Sequence, residues 1–264
     1  MGCCLVPKDD TVEVRGCTAF SFSSEGLTYY GRNNDLPPFL RKISKSVYYQ
    51  PRNGNSFVLN TSSFVNGEEG MNEHGFIAAM TFVVPNPLEI KPGLNSVFLV
   101  RYLLEKCNSV EEGIEALNKL PIASSCNILL ADSTGKMVVM ECTPFGNHNR
   151  LPLKNKLGED FVITVNHFTS KQMQKYDNSN QNVYDSKVRY ETVLNALQKP
   201  STNAINYTKD ILSGKKGFLC QYSRKLNFDT IWASVFNSAD LFIYRTEGNP
   251  ARSKFKVDLR LQSF

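Results

Sequence analysis

Residues 16–35 form the stretch GCTAFSFSSEGLTYYGRNND, which decides the fold of the chain. Apolar and polar residues alternate from Cys17 to Ser23, a period typical of a β-strand. Ser24-Glu25-Gly26 then predicts a turn, and Leu27 to Arg32 predicts a second strand. The sequence therefore predicts a β-hairpin that carries Cys17 at its outer end.

Outward from this hairpin, groups of predicted strands alternate with pairs of predicted helices. Further strands are expected at Val47–Gln50, Ser56–Leu59, Gly75–Val84, Asn127–Ala131, Met137–Cys142, Phe161–Asn166, Thr230–Phe236 and Leu241–Arg245. Helices are expected at Leu94–Cys107, from the N-cap Ser109 to a point before Pro121, at Ser186–Gln198 and at Asn203–Leu212. This order predicts an α+β fold in which antiparallel sheets are covered by helical layers.

The composition excludes several classes of protein. Of 264 residues, 41% are hydrophobic and 21% charged, as in a globular domain, and no apolar run is long enough for a membrane span. The net charge of +5 is scattered rather than arranged in a stripe, so nucleic acid is not an expected partner. Seven cysteines without a C-x-x-C motif argue against a disulfide scaffold and a zinc site, and favour a reducing, cytoplasmic location.

Three motifs follow Cys17 in a fixed order. Arg32 and Asp35 lie in GRNND, residues 70–75 form GMNEHG, and residues 165–168 form VNHF. In order and spacing this pattern resembles the choloylglycine hydrolase and penicillin V acylase family and its relatives around isopenicillin N acyltransferase. The resemblance runs through nearly the whole chain from Cys17, including the stretches Asn127–Pro144, Thr230–Trp232 and Gly248–Pro250.

The resemblance implies a four-layer αββα sandwich of the N-terminal-nucleophile hydrolase type. It further implies that residues 1–16 are a pro-segment removed by self-cleavage and that residues 17–264 form one domain. The implied reaction is cleavage of a linear carboxamide through a thioester on Cys17, followed by acyl transfer to water or to an amine. The implied substrate is a small acyl amide, such as a conjugated bile salt, a penicillin or an N-acyl amino acid, and no metal or organic cofactor is needed.

The chemistry of Cys17 fits this implication independently. A free thiol with a pKa of about 8.5 needs a base to become the reactive thiolate. The chain has only three histidines, His74, His148 and His167. If Cys17 becomes the first residue, its own α-amino group, with a pKa of about 7.7–8.0, can serve as that base. A chain so poor in histidine can then still be an amidase.

The resemblance assigns Arg32 and Asp35 to the neighbourhood of Cys17. The fixed positive charge of Arg32 would favour the thiolate. The carboxylate of Asp35 would hold the new α-amino group by a charge-assisted hydrogen bond.

The resemblance also implies an oxyanion hole and a second arginine. The Asn166 side-chain amide and the Asn72 backbone N–H would donate to the tetrahedral oxygen. Family members carry a second arginine late in the chain that supports the site. Arg224 is the candidate chosen here, with Lys225 and Arg245 as alternatives.

Two alternatives to this function stay open in the sequence. One is a thiol hydrolase that pairs Cys126 or Cys142 with His148 or His167. The other is a family member without catalysis that only binds an acylated ligand. The sequence also leaves open the acyl and amine groups and whether the chain forms a homo-oligomer.

Overall fold

The computed structural model describes residues 16–63, 65–86, 91–178, 185–199, 203–220, 222–223 and 225–262. Fifteen strands are found in these ranges: β1 Gly16–Ser24, β2 Leu27–Leu36, β3 Lys45–Tyr49, β4 Phe57–Thr61, β5 Glu69–Asn72, β6 Ile77–Phe82, β7 Cys126–Ala131, β8 Met137–Thr143, β9 Gly146–Arg150, β10 Leu153–Lys154, β11 Asp160–Thr164, β12 Tyr222–Ser223, β13 Phe228–Asn237, β14 Phe242–Arg245 and β15 Lys256–Asp258. Four α-helices accompany them: α1 Ser96–Lys106, α2 Val110–Lys119, α3 Ser186–Leu197 and α4 Ala204–Leu212. None of the described helices could cross a membrane.

The strands form two antiparallel sheets. The first sheet has the order β10-β11-β1-β2-β13-β14-β15, with β12 paired to β13. The second has the order β3-β4-β5-β6-β7-β8-β9. Neighbouring strands within each sheet are antiparallel. The β1–β2 hairpin lies near the centre of the first sheet.

Three apolar cores arrange the sheets and helices in four layers. One core packs α1 and α2 on the second sheet through residues such as Leu103, Leu117 and Ile128. A second core, which includes Val58 and Phe236, lies between the two sheets. The third packs α3 and α4 on the outer face of the first sheet. The α+β, four-layer αββα sandwich expected from the sequence is therefore confirmed.

The turn of the β1–β2 hairpin follows from two residues with positive φ. Glu25 has φ 53° and Gly26 has φ 78°, the conformation that two-residue hairpin turns require. The turn fixes the register, which places Gly16 opposite Asp35 and Cys17 opposite Asn34. The outer end of the hairpin thus brings the expected nucleophile beside the polar end of β2.

Side-chain alternation separates the two faces of this hairpin. Ala19 and Tyr30 belong to the core between the sheets, whereas Phe20 belongs to the core beneath α3 and α4. Because successive strand residues point to opposite faces, Cys17 lies on the sheet–sheet face and Asp35 on the helix face.

Strand β5 was not expected from the sequence, which shows no alternation there. Its first residue, Glu69, is completely buried between the sheets. Its carboxylate accepts hydrogen bonds from Tyr30 Oη (2.7 Å), Trp232 Nε1 (2.8 Å) and Ser234 Oγ (2.7 Å). These donors satisfy a charge that would otherwise be costly to bury, so tertiary contacts override the local pattern.

Candidate active site

The Cys17 thiol lies inside a cluster of polar side chains. Cys17 is only 5% exposed. Its Sγ accepts a hydrogen bond from Arg32 Nη2 at 3.1 Å and lies 3.2 Å from Asn34 Oδ1, to which the thiol S–H donates. Burial raises the pKa of the Cys17 thiol, and the positive charge of Arg32 opposes that rise. With the chain uncut at this residue, the thiol is therefore protonated at neutral pH.

Arg32 is fixed by contacts to both sheets. Its side chain is completely buried. Nη1 donates to the Met80 carbonyl in β6 at 2.6 Å, while Nη2 and Nε donate to Asn34 Oδ1 at 2.7 and 3.3 Å. A guanidinium stays charged at any working pH, so Arg32 supplies a permanent positive charge at the sulfur.

Asn166, just after β11, contacts the backbone nitrogen of Cys17. Its Oδ1 accepts from Cys17 N at 2.8 Å, and its Nδ2 donates to the Phe82 carbonyl at 2.8 Å. Its own N–H donates to Ser186 Oγ at 2.9 Å. The residue is thus held between β6 and the start of α3, with its amide oxygen beside the Cys17 nitrogen.

A second arginine, Arg189 of α3, completes the cluster and was missed by the sequence reasoning. It is completely buried. Nη1 donates to the Cys17 carbonyl at 2.6 Å and to Thr18 Oγ1 at 2.8 Å, and Nη2 donates to Asn166 Oδ1 at 2.8 Å. One signal could have found it. Arg189 stands at helical spacing on the same face as the buried residues Ser186 and Val193 of α3.

Asp35 lies next to the bond that self-cleavage would break. Its Oδ1 accepts from Thr230 Oγ1 at 2.5 Å, and its Oδ2 has no hydrogen-bond partner among the described residues. A Cβ placed on Gly16 would come within 3.4 Å of that Oδ2 and 3.1 Å of the Phe228 ring. Burial raises the pKa of Asp35 to about 6, although the positive charge of Arg189 opposes this rise.

This raised pKa predicts a pH-dependent gain in stability for Asp35→Asn. The ordinary pKa of about 3.8 is lower than the folded value of about 6, so ionisation of the carboxylate destabilises the folded state as pH rises. We expect the substitution to stabilise the uncut chain by up to about 3 kcal/mol at pH 8 and hardly at all at pH 4. Urea unfolding in a Cys17→Ala background, which keeps the chain uncut, measures the difference. An equal effect at both pH values would contradict the prediction.

Asn72 is not brought into this cluster. The N–H that was expected to face an oxyanion donates to the Phe76 carbonyl at 3.0 Å, in the turn between β5 and β6. Its Nδ2 donates to the carbonyls of Leu104 (3.0 Å) and Cys107 (2.8 Å) at the end of α1. In this conformation Asn72 joins a turn to a helix, and its N–H is already engaged.

Arg224 lies outside the described residues, so its supporting role stays a prediction. Lys225, one of its alternatives, is exposed. The other, Arg245, forms an ion pair with Glu247 and lies over the Trp232 ring, 5.3 Å from its centroid. Among the described arginines outside β2, Arg189 is the one hydrogen-bonded to Cys17.

The alternative cysteine–histidine pairs receive no support from the geometry. Cys126 and Cys142 are completely buried and stand opposite each other in β7 and β8. His167 Nδ1 shares a hydrogen bond of 2.8 Å with Ser186 Oγ, and burial lowers its pKa to about 4, so it is neutral. His148 stands opposite Glu141 in the β8–β9 ladder.

Comparisons with known proteins agree with this fold. The sequence profile of the family described as acyl-coenzyme A:6-aminopenicillanic acid acyl-transferase matches residues 22–252. Penicillin V acylase from Agrobacterium tumefaciens is structurally similar, with a TM-score of 0.54 and 18% identity over 91% of this chain and 84% of that one. A mutant of conjugated bile acid hydrolase from Clostridium perfringens gives a TM-score of 0.57 and 15% identity over 92% of this chain and 96% of that one. A search of curated proteins finds no match.

Proposed function

Since this chain belongs to the acyl-coenzyme A:6-aminopenicillanic acid acyl-transferase family, we propose that it is a cysteine N-terminal-nucleophile hydrolase of linear carboxamides. Residues 1–16 would be removed by self-cleavage, and Cys17 would then attack the carbonyl carbon of an N-acyl amide. The substrate class would be the small acyl amides, among them conjugated bile salts, penicillins and N-acyl amino acids.

One observation carries this proposal: three side chains that an N-terminal cysteine would use lie around Cys17 in the uncut chain. Arg32 contacts the sulfur, and Asn166 contacts the nitrogen that would become the α-amino group. Asp35 offers an unpartnered carboxylate oxygen beside Gly16. A structural cysteine in a strand would need none of these groups.

Self-cleavage would use the same sulfur as the later reaction. Cys17 Sγ attacks the Gly16 carbonyl carbon, the C–N bond to Cys17 breaks, and the nitrogen takes up the thiol proton. Water then hydrolyses the resulting thioester and releases residues 1–16. The new ammonium group at Cys17 would be held by Asp35, whose unpartnered Oδ2 lies beside Gly16.

Substrate hydrolysis would follow through a thioester. The α-amino group takes the thiol proton as Sγ bonds to the substrate carbonyl carbon, and the carbonyl electron pair moves onto oxygen. The tetrahedral state collapses, the amine leaves with the proton from the α-ammonium group, and water attacks the thioester. Arg32 would stabilise the thiolate, while Nδ2 of Asn166 would donate to the oxyanion.

Acyl transfer is a second candidate, favoured by one observation. The family profile that matches the chain is named for an acyl-transferase. An amine in place of water would resolve the same thioester without any change in the cluster around Cys17.

The proposal is tested by the N-terminus and the turnover of purified protein. We expect active protein to begin at Cys17 and to hydrolyse simple acyl anilides, such as phenoxyacetyl and fatty-acyl anilides. Adding a primary amine and comparing the yields of amide and free acid separates transfer from hydrolysis. Active protein that still begins at Met1, or properly cut protein inert to every acyl amide, would overturn the proposed function.

Arg32→Met is expected to raise the apparent pKa of the Cys17 thiol in the cleaved protein, because the positive charge that favours the thiolate is lost. The measurement is the pH dependence of iodoacetamide labelling, followed on the Cys17 peptide by mass spectrometry.

Two variants accompany this measurement. Arg32→Lys should keep most of the effect, since it keeps the charge. Arg101→Met removes an arginine from α1, where it donates to the Val65 carbonyl, and should leave the profile unchanged. Coincident profiles for Arg32→Met and the unsubstituted protein would show that Arg32 does not tune the thiol.

A further inference from the structure

Asn34 in β2 is completely buried, stands directly opposite Cys17, and has no role in the reaction as described so far. Its side chain points to the sheet–sheet face, as Cys17 does, because opposite residues of an antiparallel pair share a face. The amide therefore lies beside the sulfur rather than behind the strand.

The orientation of this amide is fixed by its neighbours. Asn34 Oδ1 accepts from Arg32 Nη2 (2.7 Å), Arg32 Nε (3.3 Å) and the Cys17 thiol (3.2 Å). A flipped amide would point its NH₂ group at a guanidinium, which has donors and no acceptor. The oxygen consequently faces Arg32, and the nitrogen faces away from it.

Asn34 Nδ2 has no hydrogen-bond partner among the described residues. A buried donor without a partner costs about 1–3 kcal/mol. Because most buried polar groups are hydrogen-bonded, an unpartnered donor beside a reactive sulfur indicates a group that waits for a partner in the reaction.

We propose that Asn34 Nδ2 donates a hydrogen bond to the oxygen of the scissile carboxamide at Cys17 and is a second donor to the oxyanion. This inference rests on the proposed function. When Sγ bonds to the carbonyl carbon, the oxygen gains the electron pair of the C=O bond, and a preorganised donor then stabilises it most strongly. Asn166 Nδ2 is the first proposed donor, and the N–H of Asn72 already donates to the Phe76 carbonyl.

Asn34→Asp is the sharpest test, because it keeps an oxygen for Arg32 and the thiol but removes the donor nitrogen. We expect the pH-independent kcat toward an acyl anilide to fall about a hundredfold, while KM changes less than about threefold. The inhibition constant of the matching acyl aldehyde, which forms a tetrahedral adduct with the thiol, should weaken by a similar factor. Rates are expressed per chain that begins at Cys17.

Further measurements keep the test decisive. The pH profile of Cys17 labelling shows how far the new carboxylate shifts the thiol, and kcat is compared on the plateau above that pKa. Asn34→Leu removes the whole amide without adding charge; if Asn34→Asp does not fold, this variant is used with the same labelling profile, and an unchanged plateau kcat would contradict the inference. Asn33→Leu is the matched control: its Nδ2 donates to the Leu212 carbonyl (2.9 Å) on the helix face, so kcat should stay unchanged.

Two results would overturn the inference and leave the proposed function standing. One is an Asn34→Asp enzyme with the original plateau kcat and aldehyde affinity. The other is a variant whose thiol pKa moves while kcat on the plateau does not, since Asn34 would then only position Arg32 and the thiol. An unsubstituted protein inert to all acyl amides would instead remove the proposed function itself.

Discussion

Cys17→Ala is expected to leave the chain uncut at Gly16 and to reduce turnover of acyl amides to background. Both outcomes follow from one atom, because the same Sγ attacks the Gly16 carbonyl and later the substrate. Removing the catalytic serine of a serine protease costs about six orders of magnitude in kcat, so any residual rate here should fall below detection. Intact mass and N-terminal sequencing report the cut, and an acyl anilide reports the turnover.

Two further variants sharpen this prediction. Cys17→Ser replaces the thiol with a hydroxyl, which is still a nucleophile but needs a stronger base than a thiol, so cleavage and turnover should both be slow rather than absent. Cys126→Ala removes a completely buried cysteine of the core. It should lower stability and leave both activities intact. A Cys17→Ala protein that is still cut, or still turns over substrate, would contradict the assignment of Cys17.

Much of the fold could be predicted from local signals in the sequence. The expected N-cap Ser109 accepts from Glu112 N at 3.3 Å at the start of α2. The hairpin turn at Glu25-Gly26 has the φ angles that a two-residue turn requires. These features depend on residues a few positions apart, and alternation within β1 then fixed which face of the first sheet Cys17 occupies.

The remainder of the site depends on contacts that no local pattern encodes. Arg189 is 172 residues from Cys17, and only the packing of α3 on the first sheet brings them together. The position of Asn34 opposite Cys17 follows from the register of the hairpin, which can be counted from the turn. Its Nδ2 is left without a partner because the amide oxygen is turned toward Arg32, and that contact is not visible in the sequence pattern. Asn72 lies in a motif that suggested catalysis, whereas its polar atoms are used to hold a turn against α1.

Asn166→Ala is expected to lower kcat about a hundredfold or more while KM moves much less. Its Nδ2 is a proposed donor to the oxyanion, and losing one such donor raises the barrier by about 2.7–4 kcal/mol. The structure adds a second consequence, since Asn166 Oδ1 also accepts from Cys17 N and from Arg189 Nη2. Removing this oxygen takes away the hydrogen-bond acceptor of the Cys17 nitrogen, which must act as the base, so the pH optimum should shift as well.

Asn166→Asp separates these two effects. It keeps an oxygen for Cys17 N and Arg189 but replaces the donor nitrogen with oxygen, so kcat should stay low even where the positions of Cys17 and Arg189 are preserved. Its matched control is Asn127→Asp, whose Nδ2 donates to the carbonyls of Val165 and His167 on the same loop. The control tests whether disturbing the loop alone lowers kcat. If Asn166→Ala lost affinity while keeping kcat, Asn166 would bind the ligand instead of stabilising the oxyanion.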